Sequence, residues 1–365
     1  MTRSGGLAAG LPDFPWDLLE PAKARAAAHP DGIVDLSIGT PVDPVPSVIR
    51  RALADASDAP GYPLTAGTPA LRSAITGWVS AECRAADGFG VLPTIGSKEM
   101  VAGLPNLLGL GAGDVVVIPS VCYPTYEVGA LLAGASVIRS DRPWDAPPAP
   151  GTRLAWINSP GNPNGVVLSP ADLRSAIAWA RAYGIVIASD ECYLSLGFEA
   201  MPTSVLEACD GDFTGVLAVH SLSKRSNLAG YRAGFVAGDA ALVAELLAIR
   251  KHAGMIVPAP VQAAMIAALG DEEHVLAQRA RYAARRTVLR PALEAAGFTI
   301  DGSQAGLYLW SRRDADCWSS VTWLADRGIL AAPGAFYGPA GGSYVRLALT
   351  ATDERIAAAV TRLST

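Results

Sequence analysis

The sequence predicts an α/β protein built on a mainly parallel sheet with helices on both faces, accompanied by a smaller α+β domain. Two patterns carry that prediction. Between about residues 90 and 240, short apolar runs alternate with polar turns and amphipathic helical stretches, as they do where helices cover both faces of a parallel sheet. From about Pro260 the pattern changes to a long Arg- and Ala-rich helix followed by a shorter αβ segment.

The elements follow in order. Val115–Pro119, Arg153–Ile157, Ile185–Ser189, Val216–His220 and Gly234–Ala237 are short and continuously apolar, as strands buried on both faces are. Ser169-Pro170 opens the best-marked helix, with Ser as N-cap and Pro at the first helical position; it runs to about Tyr183, before Gly184. Pro147, Pro148 and Pro150 mark an exposed connection. A long helix is predicted over roughly Asp271–Ala296, then strands at Gly306–Trp310 and Tyr344–Leu349. The segment up to about Arg50 is expected to join this second unit. That places a large domain at 51–260 and a small one at 1–50 with 261–365.

Composition sets the outer bounds. A chain of 365 residues has room for about two domains. Half its residues are hydrophobic and only 17% are charged, so it can bury a large core and is not disordered. The 37 Gly and 27 Pro exclude a coiled coil. A net charge of −5 offers no global basic field to nucleic acid. The longest apolar stretch, Val101 to Ile118, is broken by Pro105, Asn106 and Asp114, so no membrane span is expected. Pro12 and Asp13 directly after Leu11 leave no signal-peptide core. Cys83, Cys122, Cys192, Cys209 and Cys317 are odd in number and scattered, which reads as free thiols in a cytoplasmic protein. The four His are dispersed as well, so no metal site is expected. Of the 29 cations only Lys23, Lys98, Lys224 and Lys251 are lysines, so a reaction that needs an amine has few candidates.

Gly109-Leu110-Gly111-Ala112-Gly113 looks like a dinucleotide loop, but it follows a helix and precedes a strand, the reverse of the required order. No phosphate-binding GxxxxGK[ST] loop occurs. More informative are the residues just beyond the predicted strands, where open α/β sheets bind ligands. Tyr123 follows the first strand and Asn158 to Gly165, including Asn162, the second. Asp190 and Tyr193 follow the third; Ser221, Ser223, Lys224 and then Arg232 follow the fourth. Singly, Asn162 reads as a turn residue, Asp190 as a helix cap and Lys224 as a solvated amine. Together they place an acid, an amide, phenols, an amine, hydroxyls and a guanidinium at one sheet edge.

In this order, Asn-Pro-x-Gly, Asp-x-x-Tyr and Ser-Leu-Ser-Lys-(seven residues)-Arg resemble the fold-type-I pyridoxal-phosphate aminotransferases of class I and II. The resemblance runs from about Asp35 to Leu349. It implies a mainly parallel seven-stranded sheet in the large domain, pyridoxal 5'-phosphate as cofactor, and a homodimer with shared sites. It puts the cofactor-holding amine on Lys224 and the partner of the pyridine nitrogen on Asp190. Asn162 and Tyr193 are implied as donors to the cofactor 3-oxygen, and Tyr123 as the aromatic stacked on its ring. Gly96, Ser97 and Lys98, opening a helix, are implied as phosphate ligands with Ser221, Ser223 and Arg232. Tyr62 is implied to reach the neighbouring subunit's phosphate. Arg346 is implied to clamp the substrate α-carboxylate, with the Gly39 loop closing over it.

Within the family, the stretches Ser221–Asp239, Arg250–Ala263, Gly334–Gly342 and Leu347–Asp353 are most similar to actinobacterial-type N-succinyldiaminopimelate aminotransferases. This implies exchange of an amino group between N-succinyl-LL-2,6-diaminopimelate and 2-oxoglutarate, in lysine and diaminopimelate biosynthesis. Arg225, Lys251 and His252 are candidates for a remote carboxylate, against a structural or surface reading of each that the sequence favours. Alternative donors are aspartate, alanine or histidinol phosphate; a C–S lyase of the same fold is a further alternative. A transcriptional regulator would need a DNA-binding module, for which the segment before Asp35 is too short. A nicotinamide oxidoreductase lacks its glycine loop.

Overall fold

The computed structural model describes residues 10–364. Met1–Ala9, counted above with the small domain and read for a signal segment, and Thr365 lie outside the described residues. The strands are β1 (Val34–Asp35), β2 (Gly90–Ile95), β3 (Val115–Ile118), β4 (Ser136–Arg139), β5 (Thr152–Asn158), β6 (Val186–Asp190) and β7 (Val216–Ser221). They continue with β8 (Ala233–Gly238), β9 (Thr299–Asp301), β10 (Tyr308–Arg312), β11 (Ile329–Leu330), β12 (Ala332–Pro333) and β13 (Tyr344–Ala348).

Seven strands form one sheet in the order β2-β8-β7-β6-β5-β3-β4, parallel except for β8. The expected mainly parallel seven-stranded sheet is therefore present. Its central strands carry unbroken apolar runs because both faces are covered. On β5, Leu154 and Trp156 enter one core while Ala155 and Ile157 enter the other. Beside this sheet stands an antiparallel one, β12-β13-β10-β9, and the parallel pair β1·β11, which ties Val34 to Ile329.

The helix over Pro170–Tyr183 has the expected start and a reciprocal capping box between Ser169 and Asp172. It ends on Gly184 at φ +66°, a conformation that favours glycine. The glycine run 109–113 is the turn between the helix Gly96–Leu107 and β3. The long helix spans Glu273–Ala295. Helix Ala259–Leu269 packs Ala264, Met265, Ala268 and Leu269 into the large-sheet core, as does Ile49. The helix that follows the boundary expected near residue 260 is thus buried against the larger apolar face. Among the described residues no helix is long and apolar enough to cross a membrane.

Candidate active site

Because β5, β6 and β7 are parallel, their carboxyl ends Asn158, Asp190 and Ser221 meet at one edge. A cavity of about 650 Å³ opens there, between the large sheet and β10 and β13. Its wall contains Gly39, Ser97, Lys98, Tyr123, Asn162, Asp190, Tyr193, Ser221, Ser223, Lys224, Arg232 and Arg346. Residues scattered from 39 to 346 are thus brought to one cavity. Gly96 stands behind Arg232, and Tyr62 is not part of the wall: it is fully exposed.

Lys224 lies in the short helix Leu222–Arg225 just after β7, and its Nζ donates to the Gly39 carbonyl. Burial pushes its amine below the ordinary lysine value, helped by the Arg346 and Arg232 charges. The neutral, nucleophilic form is thereby favoured. Asp190 is buried at the end of β6. Its Oδ2 accepts from Tyr126 Oη at 2.7 Å and its Oδ1 from the Cys192 N–H at 3.1 Å. Burial raises its carboxyl above the usual aspartate value, against the pull of these donors. No cation among the described residues pairs with it, so a protonated ring nitrogen would meet an uncompensated buried charge.

Arg346 is the opposite of the surface arginine that a lone strand position suggests: only 3% of it is exposed. Its Nη1 donates to Asn162 Oδ1 at 2.9 Å and its Nη2 to the Ser37 carbonyl at 2.7 Å, while Nε has no partner. Asn162 is held in turn by its N–H on Asn158 Oδ1 at 2.7 Å. The Tyr193 and Tyr308 hydroxyls lie 3.0 Å apart. Tyr123 stands edge-on to Tyr126, and burial pushes its hydroxyl up to about 12.

The helix Gly96–Leu107 begins at this cavity; Glu99 Oε1 accepts from the Ile95 N–H at 2.9 Å, and the N-cap residue Ile95 offers no side-chain acceptor to the N–H groups that follow it. Gly96 has φ +70°, and a Cβ there would fall 2.4 Å from Arg232 Nη2. Glycine therefore lets a guanidinium approach the positive end of a helix, an arrangement that only an anion makes favourable. Ser97 Oγ accepts from Cys192 Sγ at 3.3 Å. An amine, a buried acid and an uncapped anion cradle fit the aldehyde, ring nitrogen and phosphate of pyridoxal phosphate.

Sequence reasoning missed Tyr126, Cys192, Tyr308 and the apolar rim of Phe14, Trp16 and Ile38. Tyr126 sat visibly three residues after Tyr123, but its hydrogen bond crosses 64 residues. Tyr126→Phe should cut turnover about ten-fold by removing a donor from a buried carboxylate; steady-state kinetics checks this. Arg225, Lys251 and His252 are not brought to the cavity. Arg225 is buried against the Ala268 carbonyl and Glu272, while Lys251 and His252 are exposed near the end of the helix Ala240–Ala253.

Two other places gather polar side chains. Cys83, Glu191 and His220 converge although scattered in sequence, with ligand atoms within 4.8 Å of one another. Glu191 there already accepts from Ser189, Ser204 and the Val205 N–H. A surface cleft of about 670 Å³ along the long helix carries Arg286 and Arg290, both already paired with Glu199.

The family model for aminotransferase class I and II matches residues 31–363. The chain belongs to that family. Class I and II aminotransferases depend on pyridoxal phosphate, and so does this chain. It is 60% identical to a probable aminotransferase of Mycobacterium tuberculosis, over 99% of this chain and 87% of that protein. It is 57% identical to the 4-dedimethylamino-4-oxo-anhydrotetracycline transaminase of Streptomyces rimosus, over 97% of this chain and 99% of that one. The solved structure of a probable N-succinyldiaminopimelate aminotransferase from Thermus thermophilus superposes with a TM-score of 0.85. It is 28% identical, with 96% of this chain and 99% of that one covered.

Proposed function

We propose that this aminotransferase moves the amino group of N-succinyl-LL-2,6-diaminopimelate to 2-oxoglutarate, giving N-succinyl-2-amino-6-oxopimelate and glutamate. The observation that carries the reading is Arg346, a buried guanidinium sharing one cavity with a buried amine. Such a pair suits an α-amino acid donor and a 2-oxo acid acceptor. The Lys98 side chain adds a cation to the wall for a second carboxylate. The likeness to the Thermus thermophilus protein supports the same donor.

In this reading pyridoxal phosphate, when bound, supplies an aldehyde for the amine and a ring that takes up the electron pair left at the substrate Cα. Lys224 holds the cofactor and later carries the proton from Cα. Asp190 keeps the ring nitrogen protonated. Asn162 and Tyr193 donate to the 3-oxygen, and Tyr123 covers the ring face. Ser97, Ser221, Ser223, Arg232 and the N–H groups of Gly96 and Lys98 hold the phosphate. Arg346 and the Gly39 loop hold the substrate carboxylate. Tyr62, exposed beside the half-buried Pro63 and exposed Leu64, would complete a neighbouring subunit's phosphate site in a cytoplasmic homodimer.

A second reading is favoured by one observation. The Streptomyces rimosus relative is named for a polycyclic ketone, and Phe14, Trp16 and Ile38 give this cavity an apolar rim. A panel of donors with 2-oxoglutarate, and of acceptors with glutamate, separates the two. The proposal expects kcat/KM for N-succinyl-LL-diaminopimelate about a hundred-fold above aspartate and alanine. Equal rates with aspartate would reject it, and faster turnover of a polycyclic ketone would install the second reading.

A further inference from the structure

Tyr308 opens β10 and is buried except toward the cavity. Three contacts meet on it. Its hydroxyl lies 3.0 Å from that of Tyr193. Its ring lies under Arg346, whose Cζ is 3.9 Å from the ring centroid. A Cβ on Gly39 would fall 2.1 Å from its Oη, so the hydroxyl packs against the loop whose Ser37 and Gly39 carbonyls accept from Arg346 and Lys224.

The two phenols share one hydrogen bond, and the donor is set by their surroundings. Burial alone would push both hydroxyls up. On Tyr308 the Arg346 charge works against burial and the hydroxyl sits below its ordinary value, whereas Tyr193 stays well above. Tyr193 has one hydroxyl proton, and in its proposed role that proton goes to the cofactor 3-oxygen; across the 3.0 Å contact Tyr308 is then the donor and Tyr193 Oη the acceptor. A phenol that accepts a hydrogen bond becomes a stronger donor itself. The Tyr193 proton is then left free to point into the cavity.

We propose that Tyr308 is a positioning residue for the transamination: its hydroxyl orients and strengthens Tyr193 as a donor, while its ring fixes the plane of Arg346. One side chain then sets both the phenol facing the cofactor and the guanidinium facing the substrate carboxylate. The inference rests on the assignment of Tyr193 to the cofactor 3-oxygen. It reaches beyond that assignment by giving Tyr308 two separable functions, one in the hydroxyl and one in the ring.

The experiment uses the full-length protein as purified and three variants: Tyr193→Phe, Tyr308→Phe and Tyr308→Leu. The readouts are the pH midpoint of the bound cofactor's colour change, the affinity of the apoprotein for pyridoxal phosphate, and the donor KM against kcat. A donor to the 3-oxygen holds the midpoint down by drawing electron density from the cofactor. Tyr193→Phe should therefore raise it and weaken cofactor binding. Tyr308→Phe should raise it by a smaller amount, about half a pH unit for one neutral hydrogen bond, with donor KM within about two-fold of wild type. Tyr308→Leu should add a rise in donor KM of about ten-fold, because the ring beneath Arg346 is gone. If Tyr193→Phe moves the midpoint and Tyr308→Phe matches wild type in midpoint and cofactor affinity, Tyr308 has no positioning role. If neither variant moves it, the assignment of Tyr193 fails and this inference falls with it.

Discussion

Lys224→Ala is expected to lower transamination by at least about 10⁴-fold, since under the proposed roles one substitution removes both the covalent anchor and the proton carrier. The geometry offers no substitute. The other lysine on the cavity wall, Lys98, is exposed at the opening helix, with Nζ 5.9 Å from the Phe14 ring centroid. Borohydride reduction followed by peptide mapping should place the label on Lys224 in wild type and nowhere in the variant. Label on Lys98, or normal turnover by the variant, would overturn the assignment. The depressed amine adds a pH dependence. Cofactor loading needs the neutral amine, so loading should improve as pH rises through a value below the ordinary lysine range of 10.5. A spectrophotometric titration of the apoprotein against pH checks the direction.

Asp190→Asn is expected to cost about 10²- to 10⁴-fold in turnover while leaving the apoprotein at least as stable at neutral pH. Asparagine keeps the shape but cannot hold a protonated ring nitrogen through its charge. The stability side follows from linkage. Burial raises the Asp190 carboxyl in the folded state, so the folded chain binds that proton more tightly than the unfolded chain does. Wild-type apoprotein therefore loses stability as pH rises from the unfolded value, near 3.8, through the raised folded value. The variant lacks that slope. Melting temperatures should favour the variant at neutral pH and converge in acid; a wild-type advantage at neutral pH would contradict the buried-charge account.

The legible parts of this protein are those whose physics is local. Central strands such as β5 and β6 announce themselves because two cores demand unbroken apolar runs. The helix at Pro170 carries its own start and stop signals. The edge strands were harder. β4 alternates exposed and half-buried residues, and β2 contains Pro93, which a central strand would not tolerate. In the site, Asp190, Tyr193, Ser221 and Lys224 were readable because each lies within a few residues of a strand end. Tyr308 was not, since its hydroxyl matters only through Tyr193, 115 positions away, and in sequence it is one more aromatic on an apolar strand. Arg225 was ambiguous for the converse reason: a cation beside Lys224 reads as functional or as structural, and its pairing with Glu272 accords with the structural reading.

The hydrogen bond from Arg346 to the Ser37 carbonyl spans 309 residues. On a ribosome adding about 5 to 20 residues per second, Ser37 waits roughly 15 to 60 s for its partner to be made. Until then the nascent polypeptide has its amine and its acid but no lock on the carboxylate loop. Only when the chain has passed residue 348 can β13 pair with β10 and β12, and the same event closes the second sheet and brings Arg346 to Asn162 and Ser37.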